Sequence, residues 1–117
     1  RRGAGLQTYS LVSLGSCLFT IIAFEFFHLA GPTANFDPSR VVMAVATGIG
    51  FIGAGVIIYR GGSHIEGITT AAGLWASSGI GLAIGGGLYS LALVATLLAV
   101  FILVVFGEFE RKCFKKD

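Results

Sequence analysis

Charged residues and one glycine triplet divide this chain into four long apolar runs. The first is Tyr9–Phe24, prolonged past Glu25 to Ala30. Val41–Ile58, Gly67–Gly85 and Leu88–Phe106 follow. Each holds about 18–22 residues, close to the roughly 20 that a helix rising about 1.5 Å per residue needs to cross a bilayer. None alternates apolar and polar with period two, as the strands of a small outer-membrane barrel would. The pattern predicts an all-α membrane protein, a compact bundle of four transmembrane helices. It forms a single transmembrane domain over residues 1–117, with spans near 9–30, 41–58, 67–85 and 88–106 and a basic tail over 107–117.

The polar interruptions are short. Residues 31–39, GPTANFDPS, hold both prolines of the chain and read as the turn between spans one and two. Tyr59–Glu66, with Gly61 and Gly62, forms the second connection, and Gly85, Gly86 and Gly87 form a tight third.

Composition agrees with a bilayer. The 117 residues are 55% hydrophobic and 12% charged, about half the charge of an ordinary soluble domain. A soluble chain of this size exposes much of its surface and needs charge to cover it. Four spans put both termini on one side. Arg1, Arg2, Arg60, Arg111, Lys112, Lys115 and Lys116 then share that side, and only Arg40 faces the other. Such an asymmetry marks the cytoplasmic side, or its stromal or matrix equivalent. The chain is expected in a bacterial inner membrane or an organellar membrane. Its basic tail is a solvated end or an anchor for anionic lipid, with Phe109 and Phe114 dipping into the interface.

One motif suggests something else. Gly48, Gly50 and Gly53 in GIGFIGAGVIIYRGG fit G-x-G-x-x-G. A dinucleotide fingerprint follows a strand, opens a helix and is trailed by an acid about 20 residues on. Here the glycines lie inside an apolar run, and Glu66 follows Gly53 by 13 positions. Close helix packing in lipid is the better use of them. Gly48, Gly50, Gly53 and Gly55 in the second span, and Gly73, Ser77, Gly81 and Gly85 in the third, are the expected packing residues. The two series are expected to face each other, with Gly50 and Gly53 too close to the third span for a branched side chain.

The segments AGLQTYSLVSLGSCLFT, GIGFIGAGVII and GITTAAGLWASSGIGLAIGGGLY resemble the membrane domain of the MgtC/SapB family, from Gly3 to about Leu103. The resemblance implies a helical inner-membrane protein. It brings an association with magnesium transport and a regulatory role exerted on other membrane complexes, ATP synthase among them. Gly48, Gly50, Gly53, Gly55, Thr69, Thr70, Leu74 and Trp75 keep the family pattern. Gln7 stands where the family tends to have Arg, Tyr9 where it has His, Ala44 where it has Gln, Glu66 where it has a basic residue and Gly73 where it has Ser. Family members usually carry one more helix before this stretch, and some a soluble C-terminal domain. The chain starts at Arg1 without Met, so a removed leader or a fragment is expected.

Candidate chemistry is sparse. Glu25 is an acid within a span, where charge costs at least about 2.5–3.5 kcal/mol. His28 follows one turn later on the same face. The pair could hold a metal, a pigment or a proton, or simply lie at the interface, paired with each other or with Arg40. Two ligands fall short of the four of a closed zinc site, so no metal site is assigned. Glu25, His28, His64 and Trp75 are candidate ligand or pigment contacts, Trp75 otherwise a packing aromatic. Thr69 and Thr70 are expected to cap the third span, or to hold an anion there with Arg60 and His64. Cys17 and Cys113 lie at different depths and show no CxxC spacing; Cys113, beside basic residues, is a weak S-acylation candidate. No nucleophile–base pair appears, and no catalytic residue is assigned.

Two functions fit. One is a non-enzymatic membrane subunit or regulator that docks against partner membrane proteins, with an accessory subunit of an energy-converting complex as a special case. The other is a magnesium-linked transporter or transport accessory. Expected partners are membrane lipids and other integral membrane proteins or a second copy, with no nucleic acid. Pigment or lipid is the cofactor class allowed, and Mg2+ enters by family association alone.

Overall fold

A computed structural model describes residues 5–60 and 64–113, with side chains for all of these except 59–60 and 64–66. Four helices long and apolar enough to cross a membrane make up the described residues, and no strand occurs among them. Helix α1 is Leu6–Ala30, α2 is Pro38–Arg60 and α3 is His64–Gly85. Helix α4, Tyr89–Cys113, runs as α-helix over Tyr89–Phe101, passes through a π-helical stretch at Ile102–Phe106, and resumes as α-helix over Gly107–Cys113.

The helix ends follow local chemistry. Asp37 precedes α2, and its Oδ1 accepts hydrogen bonds from the Ser39 backbone N–H at 3.1 Å and the Ser39 hydroxyl at 2.7 Å. With Pro38 at the first helical position, whose missing N–H costs nothing there, this starts α2 three residues before the apolar run. Helix α3 ends in a Schellman motif. The Leu88 N–H reaches the Ala83 carbonyl at 2.8 Å and the Gly87 N–H reaches Ile84 at 3.1 Å. Gly87, at φ +86°, supplies the left-handed residue this motif needs.

Helix α3 is the centre of the bundle. It packs along both α1 and α2, which barely touch each other, and among the described residues α4 meets only α3. The contacts on α1 advance in register. Tyr9 lies at Gly73, Ser13 and Ser16 at Gly81, Cys17 and Thr20 at Gly85, and Phe24 at Gly86. Both chain indices rise together, so α1 and α3 are parallel, as two spans separated by a returning one must be. A small core joins the three helices: Leu74 of α3, fully buried, sits with Val12 of α1 and Val56 of α2, flanked by Tyr9 and Ile49. Phe36 of the first loop folds against Phe24 and Phe27, with ring centroids 5.0 and 5.1 Å away. The large side chains of α4 remain exposed, as lipid-facing residues are, and only Ala92 is buried.

Part of the expected basic tail is therefore helix: residues 107–113 continue α4, and 114–117 lie outside the described residues. Alternating charge supports that extension. Glu108 and Arg111, one turn apart, form an ion pair.

Candidate functional site

The closest contact between helices is the seam of α1 and α3. Small residues make it possible, because only a bare backbone lets two helices approach to direct contact. A Cβ built on Gly81 would lie 2.2 Å from the Ser13 carbonyl oxygen, and one on Gly85 would lie 2.6 Å from that of Cys17. Gly73 lies under the Tyr9 ring, where a Cβ would come within 3.0 Å of the phenolic oxygen. Ser77 donates to the Tyr9 carbonyl at 3.3 Å, and the Tyr9 hydroxyl reaches the Thr70 carbonyl at 3.5 Å, both long bonds. The third-span series thus faces α1, not α2 as expected. Its counterpart is Tyr9, Ser13, Ser16 and Thr20, three or four apart and mostly small and polar, with Cys17 beside Ser16. That spacing is visible in the first span.

The second-span glycines divide. Gly53 is buried against α3, its built Cβ 3.2 Å from the Ala71 Cβ. Gly48, Gly50 and Gly55 have nothing within 4 Å of a built Cβ. Gly50 therefore has room for a side chain, contrary to expectation: although one turn from Gly53 on the same side of α2, it is exposed and lines a shallow apolar groove of about 280 Å³ with Gly53, Ala71 and Trp75. Gly48 faces a different groove, between α1 and α2.

The bundle interior is polar in places but self-satisfied. Ser16, Thr20 and Ser78 are buried. Thr20 donates to the Ser16 carbonyl at 2.8 Å and Ser78 to that of Trp75 at 2.7 Å. Among the described residues, no buried side-chain polar atom lacks a partner. The Thr20 and Ser78 hydroxyls each answer to a carbonyl of their own helix, which removes the cost of an unmet polar group in hydrocarbon.

The candidate ligand residues do not converge. Glu25 and His28 are exposed in the last two turns of α1, beyond the level at which Thr20 meets the end of α3. Among the described residues, neither enters an ion pair, with each other or with Arg40. The His28 ring instead lies 6.1 Å from that of Phe27. Trp75 is exposed on α3. His64 opens α3, and its side chain lies outside the described residues. Among the described residues, no group of three or more His, Cys, Asp or Glu gathers as metal ligands would. Thr69 and Thr70 do not cap α3, which begins at His64; they lie in its second turn, where the backbone N–H groups already bond within the helix. In the first loop the two bonds from Ser39 hold the Asp37 carboxyl below its usual range, aided by the Arg40 charge.

A sequence model of the MgtC family matches residues 1–112. YhiD of Escherichia coli (strain K12), whose name links it to magnesium transport, is 39% identical over 118 residues, covering 99% of this chain and 54% of that protein. Protein MgtC of Salmonella typhimurium (strain LT2) is 37% identical over 112 residues, 96% of this chain and 45% of its own length. Protein SrpB of Synechococcus elongatus is 36% identical over 117 residues, 94% of this chain and 64% of its own. No solved structure matches this chain. The chain spans about half the length of most of these curated relatives. With four spans in the expected order and a match over nearly every residue, it belongs to the MgtC family.

Proposed function

We infer that this chain is a non-enzymatic membrane protein of the transport-associated kind that acts by docking its helices against other membrane proteins. The observation that carries the reading is the state of the interior. Its hydroxyls at Thr20 and Ser78 are bonded to carbonyls of their own helices, and bare backbones close the α1–α3 seam. A conducting path needs polar groups lining it at depth, and these groups are already engaged. The outward faces, by contrast, are broad, apolar and grooved. The termini are assigned to the cytoplasmic, stromal or matrix side, on the seven of eight basic residues that four spans place there.

The second reading, a magnesium transporter or transport accessory, is favoured by the name carried by YhiD, 39% identical to this chain. One experiment separates the two. The protein is purified in mild detergent and its companions are counted by mass spectrometry, then reconstituted alone into liposomes with a magnesium indicator inside. The docking reading expects a companion membrane protein in fixed stoichiometry and no flux above empty vesicles. An energy-converting complex among the companions would identify the accessory-subunit case. A lone protein that carries magnesium would establish the transport reading instead.

A further inference from the structure

Helices α1 and α2 both lean on α3 and scarcely touch each other, which leaves an apolar groove of about 670 Å³ between them. Leu11, Gly15 and Phe19 line one wall; Gly48 and Ile52 line the other, with Arg40 at one end. Two features shape it. Gly15 and Gly48 have nothing within 4 Å of a built Cβ, so both walls are cut back where a side chain would otherwise fill the gap. From Arg40 to Ile52 the wall spans 13 residues, a rise of about 18 Å against the roughly 15 Å of one leaflet's hydrocarbon. A transmembrane helix would need a surface about twice as long.

Arg40 is exposed and, among the described residues, enters no ion pair. It stands in the first turn of α2, where the helix dipole disfavours a cation and favours an anion. Asp37 is the nearby acid, but its Oδ1 is turned onto Ser39 and its side chain does not line the groove. A ligand matching these features has an anionic head with hydrogen-bond acceptors and an apolar tail one leaflet deep. We propose that the α1–α2 groove binds one anionic phospholipid of the leaflet on the side of the first loop, its acyl chain lying along Gly15 and Gly48 and its phosphate on Arg40. Arginine suits this role because its planar fork meets phosphate oxygens in pairs.

The test compares lipid retention by the full chain in vesicles of equal palmitoyl-oleoyl phosphatidylglycerol and phosphatidylcholine. The lipid that stays bound after mild detergent extraction is counted by native mass spectrometry. Wild type should retain phosphatidylglycerol about ten-fold over phosphatidylcholine, the scale of one charged hydrogen-bonded contact. Arg40→Gln should bring the two to near parity, with total retention little changed. Gly48→Leu should lower retention of both. Arg111→Gln with Lys112→Gln, which thins the positive tail, should leave the preference in place. The proposal is overturned if the preference survives Arg40→Gln, if only the tail variant removes it, or if Gly48→Leu holds lipid as wild type does. It is also overturned if a photoreactive residue at position 52, where a large side chain already lines the groove, cross-links to protein rather than to lipid. Arg40→Gln alters an exposed side chain, so it remains a valid probe even if Gly48→Leu fails to fold.

Discussion

A glycine in a membrane helix tells little until the distance to its neighbour is known. Gly50 and Gly81 read alike in sequence, each four residues from small neighbours on both sides: Ala46 and Ala54 for Gly50, Ser77 and Gly85 for Gly81. Gly50 opens on empty space, whereas a Cβ on Gly81 would overlap the Ser13 carbonyl oxygen. Gly81→Ala should therefore push α1 off α3 and cost toward the upper end of the about 1–3 kcal/mol seen for overpacking. Gly50→Ala should be neutral or slightly stabilising, because alanine is the better helix former by about 0.5–1 kcal/mol. Thermal unfolding of both variants in the same detergent measures the difference, and equal loss in the two would contradict the contact assignment. The series Gly73, Ser77, Gly81 and Gly85 was legible as a smooth face. Its partner was not, because periodicity gives a helix its faces but says nothing about which helix each one meets. Tyr9 shows the same limit: nothing in its local sequence announces that its ring covers Gly73.

At the scale of elements the spans were legible, and their ends less so. Four apolar runs became four helices, because a bilayer leaves a backbone few other ways to satisfy its polar groups. The boundaries moved where polar chemistry extends a helix rather than stopping it. Asp37, Pro38 and Ser39 look like loop residues, yet they start α2. Glu108 and Arg111 look like a solvated tail, yet their pairing lies on a helix that continues α4 to Cys113. Among the triple glycines, Gly87 alone has the positive φ. Gly87→Ala should cost about 1–2 kcal/mol through the left-handed backbone, while Gly86→Ala, whose built Cβ comes no closer than 3.4 Å to Leu82, should cost much less. Denaturant midpoints of the two variants give the comparison, and Gly87→Asn should recover part of the loss.

For the whole molecule, the parallel course of α1 and α3 fixes the path of the chain through the bilayer. The first loop must lie opposite the end of α4. In a variant with Cys17→Ala and Asn35→Cys, a membrane-impermeant maleimide should label Asn35→Cys from one face and Cys113 from the other. Both positions are exposed. Labelling of both from the same face would break the four-span path. The candidate site was less legible than the fold. Glu25, His28 and Trp75 were marked by residue type, but the structure leaves them apart and exposed. The α1–α2 groove arises from how two helices share a third, which one span's sequence does not encode.

The central helix also has a bearing on biogenesis. Helix α3 is the least apolar of the four spans, yet it alone contacts all the others. A segment that weakly prefers hydrocarbon is slow to leave an insertion channel alone, and its serines and glycines gain most from neighbours already in place. Nascent α1 and α2 would therefore have to linger beside the channel until α3 emerges, and the three would enter the lipid as one cohort. Helix α4, apolar enough to partition unaided, would follow after the cohort had closed.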